Sequence, residues 1–159
     1  MSVFDPVTFL NGSQEVGFDT RFPQHKAGAW KGGYVGPNEK DIRVNTVNTG
    51  EGPRQILEVW ICNDNPATVG DGGRPPARVR YQAWLVLTPQ STLDKAPGMN
   101  RSLGYLLTAL GFQDKNGKTI KLWNPRSMHG MQVPNYIVNH DIRKDTGDIQ
   151  AVVNSVAAA

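Results

Sequence analysis

The sequence has little cysteine, little charge and no long apolar run, and each shortage excludes a class of protein. Cys62 is the only cysteine among 159 residues, which excludes an internal disulfide and a cysteine-based zinc cluster. No apolar run approaches the roughly 18 to 20 residues that cross a bilayer, and residues 1–10 lack the positive start of a signal peptide. We therefore expect a protein that is neither secreted nor inserted in a membrane.

The composition that remains is that of one folded domain. Apolar residues make up 38 % of the chain and charged residues 19 %, which is enough for a packed core and too little charge for a disordered chain. A length of 159 residues suits one domain and is short for two. We predict a single domain over residues 1–159, with a helical turn and a polar arm in residues 1–26 and a β-rich body in residues 27–156.

Positive charge is concentrated in the middle of the chain. Residues 74–126 contain nine basic and two acidic side chains, a net charge of +7, although the whole chain has a net charge of only +3. The segments before and after it are weakly negative. A polyanion is the natural partner for such a segment, although lysine and arginine on exposed loops would produce the same count.

The hydrophobic patterns predict three strands, one helix and two more strands. Asp5 and Pro6 predict a short helix at residues 5–10. Leu103, Leu106 and Leu107 recur at helical spacing before Gly111, which predicts a helix of about three turns. The strand signals lie at residues 28–47, 54–63, 77–88, 131–142 and 148–156. Glycines within the first of these predict a bent or bulged strand.

This order of elements is found in the OB-fold, a five-stranded barrel with one helix between its third and fourth strands. A small barrel also needs a sharply bent strand that serves both of its sheets, which fits the glycines of the first strand. We therefore predict a mainly β, OB-fold-like β-β-β-α-β-β barrel with an N-terminal arm.

Alternation along the third predicted strand separates an apolar face from a cationic one. Val79, Tyr81, Ala83, Leu85 and Leu87 form the apolar set, and Arg78, Arg80, Gln82 and Trp84 form the other. In the second strand the outer set is Ile56, Glu58, Trp60 and Cys62, so Trp60 and Trp84 share one face if the two strands pair. Indole rings among guanidinium groups are typical of single-stranded nucleic-acid binding, where bases stack and cations meet phosphates.

Further candidates lie beside this face or in the basic segment. Trp60 and Trp84 can each instead pack under the polar arm, and Trp123 can either stack a base or anchor its loop to the barrel. The complete set of candidate residues for single-stranded DNA is Trp60, Trp84, Arg78, Arg80, Arg54, Tyr34, Lys31, Trp123 and Lys121.

We find no pattern that predicts catalysis, a metal or a cofactor. Residues 111–119 resemble a phosphate-binding loop, but the spacing of the glycines is wrong and the segment follows a helix instead of opening one. His25, His129 and His140 lack metal-ligand spacing, and the aspartates lie near predicted turns. We expect a protein that is not an enzyme.

Several short patterns are similar to those of one protein family. They are FDPVTFLNG (4–12), the glycine-containing strand after Phe22 and Pro23, LEVW (57–60), LVLTP (85–89), GMNRSLGYLLTALG (98–111), SMHG (127–130) and VVNSV (152–156). In this order they resemble small bacteriophage-encoded single-stranded DNA-binding proteins of the OB-fold type.

The resemblance implies a protein that coats single-stranded DNA during phage replication, recombination or repair, in the cytoplasm of the infected host cell, without strong sequence preference. It implies no cofactor, and it allows a homo-oligomer and phage replication or recombination proteins as partners. The chain ends in SVAAA where many such proteins have an acidic tail, so we do not expect recruitment through a tail. The alternative is a virion or tail component of a phage, built on a similar barrel.

Overall fold

The computed structural model describes residues 4–13, 24–70, 72–94, 96–112, 123–142, 147 and 149–159. Two helices and six strands lie within these residues. In chain order they are α1 (Pro6–Asn11), β1 (Gly28–Val35), β2 (Ile42–Thr49), β3 (Gly52–Asn63), β4 (Ala77–Leu85), α2 (Arg101–Ala109), β5 (Gln132–Ile142) and β6 (Ile149–Ala157).

All six strands belong to one sheet, with the order β1-β5-β6-β4-β3-β2 and an additional pairing of β1 with β3. Every pairing is antiparallel except that of β4 with β6. The β1–β3 link consists of two residue pairs and the β4–β6 link of one. These two links are where the sheet would close on itself, and they are too short to establish a closed barrel.

The prediction of a mainly β fold with one central helix is confirmed, but the strand count of five is wrong. The segment predicted as one bent strand at residues 28–47 is two strands, β1 and β2, separated by a turn of 3-10 helix at Glu39–Asp41. The Asp41 carboxylate accepts a hydrogen bond from the backbone N–H of Asn38 at 3.0 Å, which closes this turn. A capped turn thus interrupts the chain where the glycines indicated a continuous bend.

Glycines in β1 still have the structural role that their positions indicate. Gly32 has φ of +75°, a left-handed conformation that favours glycine. At Gly33 the backbone passes close to the core: a Cβ there would lie 2.6 Å from Cε1 of Tyr136 and 3.0 Å from Cγ2 of Ile61. Gly32 is therefore required by its backbone conformation and Gly33 by the lack of space, whereas the register of β1 with β5 shows no bulge.

Helix α2 covers one part of the core, as its leucine spacing predicts. Leu103, Leu106 and Leu107 are buried, and Gly111 follows the helix with φ of +84°. The Tyr81 hydroxyl of β4 donates a hydrogen bond to the Ser102 carbonyl, which ties the helix to the sheet. The alternation predicted for this strand is confirmed for Val79, Tyr81 and Ala83, which are at most 5 % exposed, but β4 ends at Leu85, and Leu87 is 41 % exposed instead of buried.

Helix α1 begins where Asp5 and Pro6 predict it, with the Asp5 carboxylate accepting the Val7 N–H at 3.0 Å. None of its residues is buried. Within the described residues, neither helix has the length and apolar character needed to cross a bilayer.

A buried polar network joins the start of β1 to β3 and β5. His25 is 1 % exposed, and its Nδ1 lies 2.8 Å from the Lys26 carbonyl, to which it donates. Its Nε2 therefore accepts from the Tyr136 hydroxyl at 2.7 Å, and that hydroxyl oxygen accepts from Nδ2 of Asn63 at 2.9 Å. The network is satisfied by a neutral His25, and protonation of Nε2 would reverse the Tyr136 hydrogen bond.

The close approach at Gly33 makes a specific prediction. Replacement of Gly33 by alanine should lower the free energy of unfolding by about 1 to 3 kcal/mol, because the new methyl group overlaps the Tyr136 ring. Urea denaturation would measure the change. Gly50→Ala is the matched control, since a Cβ at Gly50 meets nothing within 4 Å and should change stability by less than about 0.5 kcal/mol. Equal effects of the two substitutions would contradict this interpretation.

The His25 network predicts an acid-dependent loss of stability. Burial lowers the pKa of His25 below its ordinary value of 6.5, the charge of His140 acts in the same direction, and the hydrogen bond to Lys26 opposes them. The unfolded chain then binds a proton before the folded chain does, so the free energy of unfolding should be constant above about pH 6.5 and fall below it.

Thermal melts of the wild type and of His25→Gln between about pH 7.5 and pH 5 would test this. The substitution should flatten the pH dependence, whereas His129→Gln should leave it in place. If all three proteins lose stability in parallel, His25 is not the group responsible.

Candidate nucleic-acid interface

One face of β2, β3 and β4 is directed away from the core and brings arginine and tryptophan side chains together. Alternate residues of β3 and β4, among them Leu57, Val59, Val79 and Tyr81, face the core. We call the opposite side the arginine–tryptophan face. It is formed by Arg43, Asn45 and Val47 of β2, by Arg54, Ile56, Glu58, Trp60 and Cys62 of β3, and by Arg78, Arg80, Gln82 and Trp84 of β4.

Two arginines lie over the two tryptophans of this face. The Arg78 guanidinium carbon is 5.3 Å from the centroid of the Trp60 ring, and that of Arg54 is 4.8 Å from the centroid of Trp84. Both distances are within the range of cation–π attraction. Trp84 is 39 % exposed and Trp60 is half-buried, so both indoles are partly accessible. The prediction that Trp60 and Trp84 share one face is confirmed.

The two Arg–Trp pairs are related by a local two-fold axis normal to the sheet. Trp60 lies opposite Arg80 and Arg78 opposite Cys62, so Arg78 is the diagonal neighbour of Trp60. Trp84 and Arg54 have the same diagonal relation, with the strands exchanged. The axis passes through the pair formed by Glu58 and Gln82, which places one aromatic platform on each side of that pair.

Glu58 lies at the centre of the face and is 3 % exposed. Its carboxylate accepts from Nε of Arg43 at 2.9 Å and from Nη1 of Arg80 at 3.2 Å. Burial acts to raise the pKa of Glu58, but hydrogen bonds from Arg43 and Asn45 and the positive charges of Arg80 and Arg43 outweigh it and hold this pKa below its ordinary value. The acidic residue within a cationic surface is therefore shared between two arginines of neighbouring strands.

A second buried carboxylate fixes Arg78. Asp41, at the end of the turn between β1 and β2, is 1 % exposed and forms an ion pair with Arg78. Arg78 is thus held by Asp41 and lies over Trp60, and its side chain remains 41 % exposed. The four arginines together with the two buried carboxylates, Glu58 and Asp41, have a net charge of +2.

The outer set predicted for β3 is on this face but is more buried than alternation indicates. Ile56 and Cys62 are 4 % and 3 % exposed, although their partners across the strands are Trp84 and Arg78. Burial also raises the pKa of the Cys62 thiol to about 11, so this cysteine is a neutral packing residue.

Tyr34 extends the face toward β1, whereas Lys31 lies elsewhere. Tyr34 pairs with Cys62, in the row of Arg78, and its hydroxyl donates to Asp64 at 2.7 Å, which raises its pKa to about 12. Lys31 is exposed and lines a separate open groove of about 220 Å³ between β1, β5 and β6. The structure therefore does not bring Lys31 together with the other candidates.

The two candidates from the basic loop do not join the face in the described structure. Trp123 is half-buried and packs against the core, which favours the anchoring role over base stacking. Its indole Nε1 is buried without a hydrogen-bond partner in the part of the chain that the structure describes. Lys121 lies outside the described residues.

Sequence reasoning missed Arg43 and Asp41. A signal for Arg43 was present: a hairpin turn centred on Gly50 and Glu51 pairs residue 43 with residue 58, which is the observed register. No comparable signal connects Asp41 to Arg78, since their contact depends on how the turn between β1 and β2 meets β4.

The exposures of the tryptophans predict their accessibility to a quencher in the free protein. Trp84→Phe should remove the largest share of iodide-quenchable fluorescence, because Trp84 is 39 % exposed and the other three indoles are half-buried. Trp123→Phe serves as the control and should remove less. An unchanged quenchable fraction in Trp84→Phe would contradict the exposure that the structure assigns to this ring.

The described residues contain no group of three or more histidine, cysteine, aspartate or glutamate side chains arranged to hold a metal ion. The features of the site are therefore its guanidinium groups, its two indole rings and its two buried carboxylates. In comparisons with known proteins, no protein-family model and no curated protein sequence matches this chain.

Proposed function

We propose that this protein is a non-catalytic, largely sequence-independent single-stranded DNA-binding protein that binds DNA on the arginine–tryptophan face. The observation that carries the proposal is the pair of partly accessible indoles, each with a guanidinium group 4.8 or 5.3 Å from its ring centroid, on one exposed sheet surface. Every base has a π-face, so stacking on an indole tolerates any sequence. Guanidinium groups beside the rings supply donors for the phosphates.

Charge and exposure support the same assignment. The face has an excess of positive charge, and the side chains of Arg43 and Arg78 are 49 % and 41 % exposed. Arg54 is exposed, and no acidic partner of its side chain is found within the described residues. Such guanidinium groups can exchange water for phosphate oxygen at small cost, which suits a ligand with one negative charge per nucleotide.

We further propose that the sheet is an OB-type barrel in which β1 and β2 together correspond to the first strand. The pairings support this, since from β1 they pass through β5, β6, β4 and β3 and return to β1. The parallel contact of β4 with β6 and the position of α2 between β4 and β5 fit the same arrangement. On such a barrel, the proposed face lies on the second and third strands, a usual position for oligonucleotide ligands.

The bacteriophage origin, the role in replication, recombination or repair, and the cytoplasm of the infected host cell as the place of action rest on the resemblance of the short sequence patterns. These parts of the proposal are supported by that resemblance and not by the geometry of the face. Homo-oligomers and other phage replication proteins are partners that the same resemblance allows.

Binding of fluorescein-labelled oligo-dT of about 16 nucleotides, followed by anisotropy, tests the function. We expect binding at low salt, with log affinity falling by about 0.7 per phosphate contact for each decade of salt. The double variant Trp60→Ala, Trp84→Ala should lose about 2 to 6 kcal/mol, at least a roughly 30-fold drop in affinity, because two stacking platforms are removed.

Trp123→Phe is the control variant and should bind like the wild type, and circular dichroism confirms that each variant is folded. Absence of binding by the wild type at low salt would refute the proposal. Wild-type affinity in the double variant would refute the choice of face. Large symmetric particles formed without DNA, seen by light scattering, would favour a virion component instead.

A further inference from the structure

The acidic residue at the centre of the proposed DNA-binding face contacts two cations at once. Glu58 is 3 % exposed, and Arg43 and Arg80 reach its two carboxylate oxygens from opposite neighbouring strands, at 2.9 Å and 3.2 Å. A bare buried carboxylate on a polyanion-binding face would repel the ligand. Here two guanidinium groups cover it, so this triad has a net charge of +1 at the surface.

The contacts leave both arginines with unused donors. A guanidinium group has five N–H bonds in a rigid planar fork. Arg43 uses Nε for Glu58, and Arg80 uses Nη1. The side chains of Arg43 and Arg80 are still 49 % and 24 % exposed, so N–H groups not engaged by Glu58 are within reach of a ligand.

The triad also lies midway between the two aromatic platforms. Trp60 is two residues from Glu58 along β3, and Trp84 is two residues along β4 from Gln82, the partner of Glu58. With a rise of about 3.4 Å per residue, the two indoles are separated by roughly 14 Å along the strands. A strand whose bases stack on both rings must pass its sugar–phosphate backbone across the triad.

Resting on the proposed function, we propose that Glu58 is a positioning residue that holds Arg43 and Arg80 as a preformed receptor for backbone phosphate between the two stacked bases. The carboxylate fixes each guanidinium in orientation before DNA arrives. Binding then does not have to immobilise two long side chains, so the entropy cost of ordering them is not subtracted from the affinity for DNA. The low pKa of Glu58 is consistent with a carboxylate that stays ionised in this role.

The alternative to a positioning role is that Glu58 acts only as a negative charge that weakens the binding of DNA. The two views predict opposite effects of Glu58→Gln, which raises the net charge by one. If Glu58 only repels phosphate, the variant binds more tightly and with a steeper salt dependence. If Glu58 positions the arginines, the variant binds more weakly despite its extra positive charge, because a neutral amide has one acceptor oxygen and directs an N–H₂ group at the second guanidinium.

The experiment measures the affinity of the full chain for labelled oligo-dT over a salt series, for the wild type and for Glu58→Gln. We expect a roughly three- to tenfold loss of affinity in the variant. Glu51→Gln is the matched control, because it changes the net charge equally at an exposed turn and should bind at least as tightly as the wild type. Tighter binding by Glu58→Gln overturns the proposal.

A second variant keeps the test decisive if Glu58→Gln does not fold. Arg43→Lys retains the charge and an ion pair with Glu58 but loses the planar fork, so we expect a similar loss of affinity. Arg101→Lys, at an exposed position of α2, is its control and should bind oligo-dT with the affinity of the wild type. Wild-type affinity in Arg43→Lys overturns the positioning role. Failure of the wild type to bind oligo-dT refutes the proposed function itself, which is a distinguishable result.

Discussion

The antiparallel registers that β3 makes with β2 and β4 are the constraint on which the candidate site depends. Nine residue pairs join β3 to β4 and eight join it to β2. Since the side chains of a strand alternate between its faces, a slip of one residue between β3 and β4 would turn Arg78 and Arg80 toward the core and Val79 toward the surface. Burial of the apolar side chains on one face of the sheet therefore also fixes the positions of the polar side chains on the opposite face.

How much of this could be predicted from sequence differs from one element to the next. Alternation placed Trp60 and Trp84 on one face on the condition that their strands pair, and the leucine spacing placed α2, because both patterns repeat with the period of their own element. The division of the first strand into β1 and β2 was not predicted, although Asn38 and Asp41 have the three-residue spacing of a capping box that opens the turn between them, because the nearby glycines were interpreted as one continuous bend. The ion pair of Asp41 with Arg78, by contrast, joins residues far apart in the chain and is set by three-dimensional placement.

The charged residues show the same limit. Glu58 was recognised as an acid on a cationic face, but its partner Arg43 lies in a strand that the sequence pattern did not separate from β1. Counting charges along residues 74–126 located only some of the relevant cations, since Arg43 and Arg54 precede that segment. The charged surface is assembled from strands that lie far apart in the sequence, so its residues are not the same as those of any one charged segment of the chain.

The position of His25 has a consequence for how the molecule responds to its surroundings. Arginine side chains do not titrate in proteins, and Glu58 titrates only below its ordinary pKa of 4.5, whereas His25 belongs to the network under β1 and β5. Mild acidification therefore acts on the interior and leaves the guanidinium groups charged. Between about pH 5 and pH 8, ionic strength remains the main external variable that tunes the electrostatic attraction of this surface for a polyanion.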